Sequence, residues 1–107
     1  MRGTLLALAA LALTACGPTI GDACTTTADC GGATCLNQDF APGGYCTTNC
    51  TPGGRDCPTG STCVKDALGK NASACFHTCG GASDCRSGYV CRVTMGSPLI
   101  CVGPAGL

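Results

Sequence analysis

Thirteen cysteines dominate the chemistry open to this 107-residue chain. A cysteine sulfur can ligate a metal, act as a nucleophile, exchange with a disulfide or close a structural bridge. Spacing discriminates among these uses. Structural zinc sites favour ligand pairs at C-x2–4-C, and dithiol redox centres use C-x-x-C. The chain contains no C-x-x-C, C-x-C or C-C step; its closest pairs, Cys46/Cys50 and Cys75/Cys79, each enclose three residues but join one cysteine group to the next, and an oxidising compartment consumes thiolates as disulfides. The single histidine, His77, lies between Cys75 and Cys79, and we read it as a solvated linker residue rather than a ligand. Hydrolytic chemistry lacks its parts too: there is no G-x-S-x-G, no H-E-x-x-H and no second histidine. We expect no catalytic residue, no enzyme activity, no metal and no cofactor.

Oxygen ligands are the other option. Glutamate is absent, so the six acids are all aspartate, at positions 22, 29, 39, 56, 66 and 84. Calcium takes about six to eight oxygens, and no D-x-[DN]-x-[DN]-G run occurs. Asp29, Asp56 and Asp84 instead recur one per cysteine group, each just before a cysteine. An aspartate ahead of a turn can accept backbone N–H groups as an Asx-turn, and we favour that role over calcium.

The groups themselves form a repeat. Cys24-x5-Cys30-x4-Cys35-x10-Cys46, Cys50-x6-Cys57-x5-Cys63-x11-Cys75 and Cys79-x5-Cys85-x5-Cys91-x9-Cys101 are joined by three-residue links. "DCGGATC", "DCPTGSTC" and "DCRSGYVC" each place Asp before the second cysteine and a glycine (Gly32, Gly60, Gly88) three before the third. Three such units define an internal repeat of about 27 residues. The recurring glycine marks a backbone position at φ > 0. After the third cysteine come short runs with β tendency, "CLNQ", "CVKD" and "CRVT"; before the fourth come "GGYC", "SAC" and "PLIC". Turn-formers lie between them, so each unit reads as a loop or single helical turn followed by a short β-hairpin. Four cysteines allow three connectivities, and spacing alone does not choose. We expect first-to-third and second-to-fourth pairing, because crossed bridges staple the loop onto the hairpin. That gives Cys24–Cys35, Cys30–Cys46, Cys50–Cys63, Cys57–Cys75, Cys79–Cys91 and Cys85–Cys101.

Composition agrees with a small disulfide-rich fold with little regular secondary structure. Thirteen cysteines are about 12% of the chain, above the roughly 8–10% that marks such scaffolds. With Phe40, Tyr45, Phe76 and Tyr89 as the only aromatics and no Trp, a large core is excluded and covalent staples are needed. Net charge is zero and no basic run exists, so nucleic acid is an unsuitable partner. The hairpin tips at 37–44, 65–73 and 93–99 are candidate contact loops. Phe40, Leu68 and Met95 are either their anchors or, as we favour, packing residues between units.

The thirteenth cysteine stands apart. Met1-Arg2-Gly3 carries one positive charge, and Leu5 to Leu13 is a nine-residue apolar run, too short for the about 20 residues that span a bilayer. We read residues 1–15 as a signal peptide. Leu13-Thr14-Ala15-Cys16 resembles the bacterial lipobox. That resemblance implies cleavage before Cys16, acylation of its sulfur and of its new amino group, and a lipid-anchored chain starting at Cys16. Gly17 in place of Asp implies the outer membrane. An odd cysteine count calls for such an explanation, and removing Cys16 leaves twelve. The layout is then a lipidated N-terminus and linker at 16–23, repeats at 24–46, 50–75 and 79–101, and a tail at 102–107. A lipobox followed by D-C-x-x-G-x-x-C units resembles the small cysteine-rich lipoproteins of myxobacteria and related deltaproteobacteria, and more loosely EGF-like and Dickkopf-type extracellular repeats. The chain departs from the EGF pattern in having four cysteines per unit and no C-x-C step. The resemblance implies no activity. We expect an envelope protein with a structural or binding role, its partners being the membrane through the lipid and a protein or polysaccharide ligand. The alternatives are an ion-binding module using calcium or a transition metal, and a secreted, unlipidated protein.

Overall fold

The computed structural model describes residues 19–94 and 97–107. The expected signal peptide and Cys16, and the tip residue Met95, lie outside the described residues.

The fold is small and disulfide-rich, with little regular secondary structure. Three antiparallel hairpins follow one another: β1 (Thr34–Leu36) with β2 (Tyr45–Thr47), β3 (Ser61–Val64) with β4 (Ala74–His77), and β5 (Val90–Thr94) with β6 (Ser97–Val102). The loop of the first unit contains a 3-10 turn at Thr27–Cys30 and that of the third contains one at Ala82–Asp84. The second unit has one more residue between its first two cysteines and carries Pro52-Gly53-Gly54 there. A single turn, in which Gly54 N–H donates to the Thr51 carbonyl, stands there in place of the 3-10 turn.

One register relation recurs in all three hairpins. The third cysteine of each unit lies directly opposite the fourth: Cys35 faces Cys46, Cys63 faces Cys75 and Cys91 faces Cys101. Cross-strand partners project from the same side of a two-stranded ribbon. The loop cysteines cover that side, the first bonding to the third and the second to the fourth. The six bridges are Cys24–Cys35, Cys30–Cys46, Cys50–Cys63, Cys57–Cys75, Cys79–Cys91 and Cys85–Cys101. None joins one unit to another.

The three-residue links continue the pairing. Asn49 forms an antiparallel contact with Ala74, and Thr78 does so with Ile100. Cys50 N–H donates to the Ser73 carbonyl and Cys79 N–H to the Leu99 carbonyl. Each unit thus enters the next as a strand beside the second strand of its hairpin. His77 is accordingly the last residue of β4, paired with Ser61 and half-buried, and not a solvated linker residue. The link region is backbone-paired, and the side chain at its start is shared between two units.

The units share one core. Leu36, Tyr45, Val64, Phe76, Tyr89, Ile100 and Val102 form a single buried cluster drawn from all three hairpins. The chain's four aromatics are contiguous in it. Tyr45 stacks on Phe76 with ring centroids 5.2 Å apart and on Tyr89 at 5.8 Å, and Phe40 lies 6.2 Å from Phe76. Phe40 and Leu68 are partly buried against this shared cluster, Phe40 beside Phe76 of the second unit. Such rings bury large areas, and favourable pair geometry adds about 0.5–1.5 kcal/mol beyond burial. The core is small, but every unit contributes to it.

Phe76 is central to this cluster and 1% exposed. Phe76→Ala is expected to lower stability by about 3–5 kcal/mol with all bridges intact, measured by guanidinium denaturation of the oxidised protein. If the units folded as independent beads, the loss would be confined to the second unit's amide signals and the other hairpins would keep their protection.

Candidate functional site

The sequence-marked aspartates all do the same thing. Asp84 accepts the Gly80 N–H at 2.7 Å, Asp56 the Thr51 N–H at 3.0 Å, and Asp29 the Thr25 N–H at 2.8 Å. In each unit the donor is the residue directly after the first cysteine. The carboxylate fixes the start of the loop, so that the second cysteine is presented to the hairpin. Asp29 also accepts the Thr26 N–H at 3.1 Å, and these two donors hold its carboxyl below the usual value of 3.8. The recurring glycines adopt φ of 103° at Gly32, 88° at Gly60 and 88° at Gly88, with open space where a Cβ would stand. Their role is backbone conformation alone.

The cysteines form three trios with sulfurs within 4.8 Å of one another: Cys24/Cys30/Cys35, Cys50/Cys57/Cys63 and Cys79/Cys85/Cys101. This closeness follows from two disulfides stacked on one ribbon face. Metal ligation requires the thiolate, and all twelve sulfurs are bonded to one another as disulfides.

A cleft of about 230 Å3 lies between the first and third units. Asp22, Asp84, His77, Arg86, Tyr45 and Tyr89 border it. The polar groups there are largely engaged by the fold. Arg86 donates to the Gly21 and Pro42 carbonyls, both at 2.7 Å, and its guanidinium carbon lies 4.4 Å from the Tyr89 ring centroid. Tyr89 Oη donates to the Pro42 carbonyl at 2.9 Å. Tyr45 Oη accepts the His77 backbone N–H at 2.8 Å. Asp22 accepts the Thr19 backbone N–H and hydroxyl at 2.7 and 3.1 Å. The arrangement clamps the third unit onto the first, and its tyrosines are kept neutral. Burial pushes Tyr45 up to about 12 and raises Tyr89 as well.

Sequence reasoning missed this clamp. Its signal was a departure from the repeat: Arg86 and Tyr89 fill "DCRSGYVC" where the other units have Gly31 or Pro58 and small residues.

Two measurements check these points. Tyrosinate absorbance is expected to rise late, with the Tyr45 component near pH 12. Because a raised tyrosine pKa favours the folded state below the unfolded value of 10.0, that stabilisation is lost as pH rises from there through about 12. In limited reduction, access of the attacking thiol controls the rate. Cys50–Cys63 and Cys79–Cys91 have both ends partly exposed, whereas Cys30 and Cys46 are both buried. Alkylation mapped by mass should therefore label the first two bridges well before Cys30–Cys46.

Compared with protein-family models, with curated proteins and with solved structures, the chain matches none.

Proposed function

We propose that the protein is a lipid-anchored component of the cell envelope whose disulfide-stapled domain has a structural or binding role without catalysis. The observation that carries this reading is the closed pairing of twelve cysteines. Of the thirteen in the chain, those at 24 to 101 bond to one another in six bridges. Cys16 is left for other chemistry, and it stands at the end of Leu13-Thr14-Ala15-Cys16 behind a short apolar run. Six disulfides belong to an oxidising compartment. Two or more acyl chains give stable membrane attachment where one is marginal. Gly17-Pro18 after the cysteine supports the outer membrane over the inner.

A binding role for the domain is supported by its rigidity. Crossed bridges hold each loop in one conformation, which reduces the ordering cost of contact. The ligand class we favour is a protein or polysaccharide met at the surface. The ion-binding alternative draws less support, since Asp29, Asp56 and Asp84 each already hold a backbone N–H.

Intact mass of the protein purified from its host's membranes tests the reading. The expected species begins at Cys16, carries acyl chains and glycerol, and gains two hydrogens per bridge on full reduction. Cys16→Ser is expected to move the protein out of the membrane fraction while the six bridges still form. An unacylated native chain would make this a secreted protein.

A further inference from the structure

The chain is pinned to the folded body from Thr19 onward. Thr19 is clasped by Asp22, Ile20 is 8% exposed, and Gly21 N–H donates to the Cys46 carbonyl at 2.8 Å. No slack is available after that residue. Only Gly17 and Pro18 separate it from Cys16. Three residues reach at most about 10 Å at full extension. The polar layer on each side of a bilayer is about 5–8 Å thick. A lipid held at Cys16 therefore brings Thr19 to within a few ångströms of the headgroup surface.

The surface beside Thr19 suits that position. Thr19 and Ile20 border a broad cleft between the first two units, lined also by Gly31, Gly32, Pro58, Thr59 and Gly60. These five residues are exposed. No Asp, Lys or Arg is among the residues lining this cleft, and His77 is its sole titratable side chain besides the disulfide cysteines. Bringing a charge against another surface costs solvation unless the charge is paired; the lining of this cleft carries none to desolvate, and the carboxylate next to it, Asp22, is already held by the Thr19 N–H and hydroxyl. On the other side of Thr19, the cleft toward the third unit carries Asp22, Asp84 and Arg86.

We propose that the uncharged face formed by Thr19, the Gly31-Gly32 turn and the Pro58-Thr59-Gly60 turn rests on the headgroups of the bilayer that holds Cys16. The inference rests on the lipid anchor proposed above. It also fixes what lies farther out. Ser61 borders the same cleft, and β3 leads away from it by about 10 Å over Ser61–Val64 at ~3.3 Å per residue. The tip carrying Lys70 lies beyond.

The chain has no tryptophan, so single reporters read out cleanly. Thr59 and Lys70 are both exposed, and Thr59→Trp and Lys70→Trp are the two variants. Each is purified acylated, checked by intact mass for lipid and six bridges, and placed in phosphatidylethanolamine–phosphatidylglycerol vesicles bearing a headgroup nitroxide. Severalfold stronger quenching of Trp at 59 than at 70 is expected. Equal quenching in acylated protein, or stronger quenching at 70, overturns the face and leaves the anchor standing. Recovery of the chain without acyl groups overturns the anchor and this face with it.

Discussion

The rest of the structure depends on one geometric relation, the placement of the third and fourth cysteines of each unit directly across a hairpin. Two opposed sulfurs on one ribbon face give the loop two points of attachment. The ribbons are three to six residues a side, and a two-stranded hairpin of that size is marginal in water. The bridges close loops of 11 to 18 residues, and each is typically worth about 2–4 kcal/mol, without strict additivity. The recurring Asp and Gly serve this relation. The carboxylate sets the beginning of the loop and the glycine allows its reversal into the hairpin.

A second level of organisation is laid over the repeat. The backbone links pass from unit to unit as added strands, and the aromatics meet in one cluster. The residues that make this possible are those that break the repeat. Tyr45, Phe76 and Tyr89 occupy non-equivalent places in their units, as does Arg86. Identical units could stack only by identical contacts. These three fold back, so that Arg86 reaches the carbonyls of Gly21 and Pro42 in the first unit. The clamp uses backbone acceptors and an aromatic face, contacts that do not depend on a carboxylate partner.

The local features were legible in the sequence, and the distant ones were not. Hairpins follow from β-prone residues flanking Pro and Gly, all within about a dozen positions, and turn geometry from glycine and aspartate is equally local. The inter-unit contacts join residues far apart in sequence, such as Tyr45 with His77 at 32 positions and Gly21 with Arg86 at 65. With four aromatics, no periodic pattern announces which faces meet. His77 was misread for the same reason: its neighbours in sequence are link residues, but its environment is set by Tyr45 from another unit.

That no bridge joins one unit to another has a consequence for how the molecule is made. Each unit has all its sulfur partners once its own fourth cysteine has emerged, and can oxidise while the following residues are still arriving. The order of oxidation can thus run from the N-terminus with little opportunity for mispairing between units. The aromatic core has the opposite timing. Tyr45 and Phe76 wait for Tyr89 and Ile100, so the first two units can be covalently finished before their apolar surface is covered. Completion of the last hairpin is the step that shields it.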